Sequence, residues 1–211
     1  NRAVAGYAGK PILDSFASYI NAEGKNIQWN VAFHPYSQPL TRVDFWNDYS
    51  NTTDSIWSPH ISMRNINQLC GYLSSMESTY KKEPGSIRLI LSEQGWTSTA
   101  GESAQAEAIL RGYYIAEFNE RVDAFIIRAE VDDSEEMSTG LYLGLRNQND
   151  TKKTSYYAYK YMDSSVETFV NIDGYHVNVN NENKPKFRAA QSLVRSLTAG
   201  FSDDKMEKLE N

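Results

Sequence analysis

Three short clusters carry the side chains best suited to chemistry, and each follows directly on an apolar, β-prone run. His34-Pro35-Tyr36 follows residues 28–33. Ser92-Glu93-Gln94-Gly95-Trp96 follows residues 87–91. Arg128, Glu130, Asp132 and Asp133 follow residues 122–127. A carboxylate delivered at the end of a buried strand, beside a Trp and facing a His and a Tyr, suits attack on, or stabilisation of, an oxocarbenium-like centre. Glu93 is that carboxylate. Around it His34, Tyr36, Gln94, Trp96, Arg128, Glu130 and Asp132 form the expected contact set for a bound molecule. Plainer roles stand beside these: Glu93 as a structural carboxylate bonded to Arg128, His34 as a rim residue, Trp96 as core. Tyr156, Tyr157, Tyr159 and Tyr161 suit helix packing better than a binding platform. The acidic run from Asp132 to Glu136 reads as a solvated loop, with cation binding as the lesser alternative.

The elements that must position these clusters follow from periodicity. Ile12, Leu13, Phe16, Tyr19 and Ile20 keep helical spacing, and Gly24 supplies a stop, so a helix is expected over 10–24. Ser58-Pro59 supplies the start of a second helix, which Ile66, Leu69, Cys70, Leu73 and Tyr80 continue until Pro84-Gly85. Ala106, Ile109, Leu110, Tyr113 and Ala116 mark a third over 102–119. Between them the runs 28–33, 87–91 and 122–127 read as strands. Helices alternating with strands too apolar to face water imply an α/β fold with a parallel sheet covered by helices. In such sheets functional groups gather at the C-terminal ends of the strands, where all three clusters fall. A long polar loop over 37–59, a charged loop over 128–149, a Tyr-rich segment over 155–163 and a last helix near 186–197 complete the pattern.

Composition narrows the partners. A net charge of -6 disfavours a polyanion, because nucleic acids and anionic membranes bind clustered Lys and Arg. No run reaches the roughly 18 apolar residues of a membrane span. A single cysteine, Cys70, cannot form an internal disulfide and lies on an apolar helix face. His34, His60 and His176 lack metal-ligand spacing with one another or with Cys70, and there is no Gly-rich phosphate loop or dinucleotide fingerprint. Ser103 belongs to a helix start rather than a nucleophile elbow. Neither metal nor organic cofactor is expected. Asn51-Thr52-Thr53 and Asn149-Asp150-Thr151 match a glycosylation acceptor pattern that is common by chance.

These motifs resemble the large clan of retaining (β/α)₈ glycosidases that place an acid/base after the fourth strand and a nucleophilic Glu after the seventh. His34-Pro35-Tyr36 is similar to a pattern after that clan's sixth strand, and Glu93 to its nucleophile. More closely, the chain from about Tyr7 to Asp163 resembles an uncharacterised bacterial family of glycosidase-like barrels. The shared stretches correspond here to residues 29–36, 91–96, 122–126 and 140–145, while Arg128-Ala129 and Asp132-Asp133 depart from the His-Arg and Asp-His pairs expected there. The resemblance implies a partial TIM barrel, strands six to eight with their helices. Residues 1–200 would be the C-terminal portion of the barrel and 201–211 a solvated tail. The Asn-Glu pair carrying the acid/base would then precede Asn1, and this chain alone would be inactive.

A barrel needs eight strands and roughly 250 residues. The expected partners are therefore a carbohydrate substrate and a missing N-terminal half, or another chain, covering the exposed strands. The implied activity is retaining hydrolysis of a glycosidic bond in a poly- or oligosaccharide. The alternatives are a carbohydrate-binding barrel without catalysis and a structural half-barrel. A secreted, periplasmic or surface location fits a polysaccharide-degrading enzyme.

Overall fold

A computed structural model describes residues 9–24, 27–117, 119–162, 169–172 and 175–178. The expected alternation is present: α1 (Gly9–Ala22), β1 (Val31–Phe33), α2 (Ile66–Thr79), β2 (Leu89–Gln94), α3 (Glu102–Glu117) and β3 (Val122–Ile127). The three strands form one parallel sheet in the order β1-β2-β3, with Val31 beside Leu89 and Leu91 beside Phe125. Among the described residues this sheet stays open, three strands wide. The last predicted helix and the tail lie outside the described residues.

Several boundaries differ for physical reasons. α1 ends as expected, with Gly24 at φ 64 donating its N–H to Asn21 O. The second helix begins later than Pro59. The Ser62 hydroxyl accepts from Arg64 N, and the Asn65 side chain accepts from Ser62 N, so a reciprocal cap on a short 3-10 turn sets the start. Ser58 serves the preceding loop instead, accepting from Thr53 N and donating to His60 O. The charged loop after β3 contains a one-turn helix, α4 (Ser134–Met137), and the Tyr-rich segment folds as α5 (Thr154–Tyr161). A separate antiparallel hairpin, β4 (Phe169–Ile172) with β5 (Tyr175–Asn178), falls where periodicity predicts no element.

The core lies between the sheet and the helices that cover it. Leu89 and Leu91 of β2 are buried with Leu69, Leu73 and Met76 of α2 and Ala106, Ile109 and Tyr113 of α3. α3 approaches so closely at Gly112 that an added Cβ would come within 2.5 Å of the Trp96 ring. By contrast, α1 buries only Ala17 and leaves Ile12, Phe16 and Tyr19 exposed, with Phe16 edge-on to Trp29. Ile126 of β3 is exposed as well. No helix among the described residues is long and apolar enough to cross a membrane.

β2 is not a regular strand. Leu91 faces Phe125 and Gln94 faces Ile127, so three steps on β2 match two on β3, and one extra residue sits near Ser92-Glu93. Strict alternation would send Glu93 to the packed face with Leu89 and Leu91. The bulge instead leaves Ser92 and Glu93 half-exposed and turns Gln94 inward.

Candidate active site

Glu93 occupies the C-terminal end of the central strand, with groups from both neighbouring strands converging on one of its oxygens. The Tyr36 hydroxyl donates to Glu93 Oε1 at 2.9 Å. His34 Nδ1 and Arg128 Nε each lie 3.8 Å from the same oxygen, at ion-pair rather than hydrogen-bond distance. Oε2 has no hydrogen-bond partner among the described residues. The Glu93 side chain is 36% exposed and that of His34 52%, so the carboxylate is open to a bound molecule.

The loop after β1 holds Tyr36 by its backbone. Met63 N donates to Pro35 O at 3.2 Å, and His60 Nε2 lies 2.7 Å from Tyr36 O. A carbonyl only accepts, so Nε2 carries the proton. Burial, reinforced by the hydrogen bond and charge of Glu93, raises the Tyr36 phenol well above its ordinary value. Tyr36 therefore remains a donor at neutral pH. The His34 and Tyr36 rings meet edge to face at 6.4 Å.

Arg128 follows β3, and its N–H donates to Gln94 O at 2.8 Å, continuing the sheet pairing. Its guanidinium reaches Glu93 through Nε and donates through Nη2 to Glu136 Oε1 at 2.8 Å. Glu136 stands on α4 and belongs to the run read from sequence as a solvated loop. Its side chain is only 22% exposed, and Oε2 is buried. A single short helix after a strand leaves little periodic signal, so the sequence offered no means of separating Glu136 from its acidic neighbours.

The other expected contact residues lie elsewhere. Trp96 is a core ring, 1% exposed, stacked on Phe45 at 5.2 Å and packed against Gly112, so it offers no face to a sugar. Gln94 is buried too: its Nε2 donates to Ile126 O, which ties β2 to β3. Asp132 and Lys153 form a buried pair at 2.8 Å, and Asp132 also accepts from Gly144 N. Glu130 points outward and pairs with Arg146 at 3.1 Å. Thus Glu93, His34, Tyr36 and Arg128 come together, while Gln94, Trp96, Glu130 and Asp132 do not. Lys153 and Gln105 were missed. Gln105 donates to Trp96 O at 2.8 Å and accepts from Ser155, and its one signal in sequence is a polar residue beside the apolar stripe of α3. Among the described residues no three His, Cys, Asp or Glu side chains gather as a metal-holding group.

Residues 1–175 match the family described as Family of unknown function (DUF5722), and the chain belongs to it. No curated protein matches the sequence. A solved structure described as a family 39 glycoside hydrolase from the gut symbiont Bacteroides cellulosilyticus WH2 is similar at 16% identity with a TM-score of 0.45. The match covers 80% of this chain, which spans 35% of that protein's length.

Proposed function

We propose that the chain carries the nucleophile half of a retaining glycoside hydrolase acting on a poly- or oligosaccharide. The observation that carries this reading is the two-sided surroundings of Glu93. Tyr36, His34 and Arg128 all address Oε1, while Oε2 has no hydrogen-bond partner among the described residues. A nucleophilic carboxylate needs one oxygen fixed and the other available. In the reaction Oε2 attacks the anomeric carbon and forms a glycosyl ester as the glycosidic C–O bond breaks. A second carboxyl group, roughly 5 to 5.5 Å away, gives its proton to the leaving oxygen. Water, deprotonated by that same group, then breaks the ester and regenerates Glu93. His34 stands beside the reacting oxygen pair and suits a sugar hydroxyl.

The test is hydrolysis of an aryl-glycoside panel by the full-length protein. Glu93→Ala should abolish turnover, and added azide should restore release of the aryl group by forming a glycosyl azide of inverted configuration. Activity unchanged in Glu93→Gln would reject the nucleophile. A full-length protein that binds oligosaccharide but cleaves none of the panel would favour a binding barrel instead.

A further inference from the structure

We propose that Glu136 is a positioning residue that locks the Arg128 guanidinium against Glu93. Arg128 lies between two carboxylates of unequal hold: Glu136 Oε1 at hydrogen-bond distance, 2.8 Å, and Glu93 Oε1 at 3.8 Å. The closer, directed contact fixes the plane of the guanidinium, and the longer one receives the result. Charged and titratable groups face this point from every element around it. They are His34 and Tyr36 after β1, Glu93 in β2, Arg128 after β3 and Glu136 in α4.

Glu136 is itself held firmly enough to serve. The Asp133 side chain accepts from Glu135 N and Glu136 N at 2.9 and 3.1 Å, and Glu136 O accepts from Leu141 N and the Thr139 hydroxyl. Next to α4, Asp132 is pinned by Lys153 and Gly144 N, each at 2.8 Å. An added Cβ at Gly144 would strike the backbone of Val131 and Asp132, so the return of the loop is fitted closely to its start. The loop that carries Glu136 is therefore a fixed arm. A free arginine on an open strand end would sample many rotamers, and this arm selects one.

The structural part of the inference stands alone, and only its effect on turnover rests on the reading of Glu93 as a nucleophile. Nitrogen-15 NMR of the arginine Nε–H groups reads the first part without substrate. Wild type should show an Arg128 signal with slow rotation about the Nε–Cζ bond. Glu136→Gln, which still presents an oxygen, should keep that signal, and Glu136→Ala should lose it. In hydrolysis by the full-length protein, Glu136→Ala should lower kcat about 10-fold with KM little changed, and Glu136→Gln should recover most of the loss. Arg128→Ala and the Arg128→Ala/Glu136→Ala double variant should be equally impaired. An unchanged Arg128 signal in Glu136→Ala, or additive losses in the double variant, would overturn the positioning role. Absent hydrolysis by the full-length wild type with the NMR pattern as expected would leave positioning intact and remove the hydrolase reading.

Discussion

The two oxygens of Glu93 differ in surroundings, and the difference is set by side chains from two distant stretches of the chain, His34 and Tyr36 in one and Arg128 in the other. Tyr36 supplies the only close hydrogen bond among them, to a group that carries charge when ionised, which makes it the strongest of the three contacts. If the full-length protein is the proposed hydrolase, Tyr36→Phe should lower its kcat/KM by about 10- to 100-fold while the melting temperature moves little, which steady-state kinetics beside thermal denaturation would read. His34 is exposed and farther away, so His34→Ala should cost less than Tyr36→Phe in the same assay. Glu93, His34 and Tyr36 were legible because each follows an apolar run. Trp96 was left between two roles for an equally physical reason. An aromatic ring just past a strand suits a binding platform and a helix-sheet core alike, and only the close approach of Gly112 decides between them.

Among the elements, the end of the sheet opposite the site depends on a single buried carboxylate. Glu77 of α2 is gripped by Arg121 Nη1 and Nη2 at 2.7 and 3.0 Å and accepts from Ile87 N and Gly85 N, so it joins α2 to the turns before β2 and β3. Burial alone would raise its pKa. The Arg121 hydrogen bonds and the two backbone N–H groups outweigh it and bring the value from 4.5 to about 2. A depressed carboxylate stabilises the fold fully above its unfolded value, and that stability fades as pH falls toward the folded value. The contribution is about 3 kcal/mol on this shift. Wild type should therefore exceed Glu77→Gln in stability at pH 7, and the gap should narrow by about that amount toward pH 2 in denaturant titrations. Lys153→Met should cost about 3 to 5 kcal/mol in the same measurement, because it strands Asp132 without a counter-charge. The strands and long helices were readable from apolar spacing. The bulge in β2 and the one turn of α4 were not, since each spans too few residues to impose a period, yet these two features aim Glu93 and seat Glu136.

Across the whole molecule, apolar side chains remain in the open. Ile12, Phe16 and Tyr19 of α1 and Ile126 of the sheet are all more than two-fifths exposed. Such surface binds apolar probes, so the chain should enhance the fluorescence of a hydrophobic dye, and a Phe16→Glu/Ile126→Glu variant should enhance it less without a loss of helix signal in circular dichroism. The α/β class and parallel order were legible because buried parallel strands read as continuous apolar runs. The β4-β5 hairpin was missed although two short β-prone runs flank Asp173-Gly174, because four-residue runs are too short to impose a period. The parallel order also governs when the site can exist during folding. Parallel neighbours require a crossover, here through α2 between β1 and β2 and through α3 between β2 and β3. Tyr36 and Glu93 are 57 residues apart, so no local segment can bring them together. Their contact must await closure of the first crossover, and that of Glu93 with Arg128 the second. In a refolding chain, formation of the Tyr36–Glu93 contact would thus trail recovery of helix and serve as a clock for completion of the sheet.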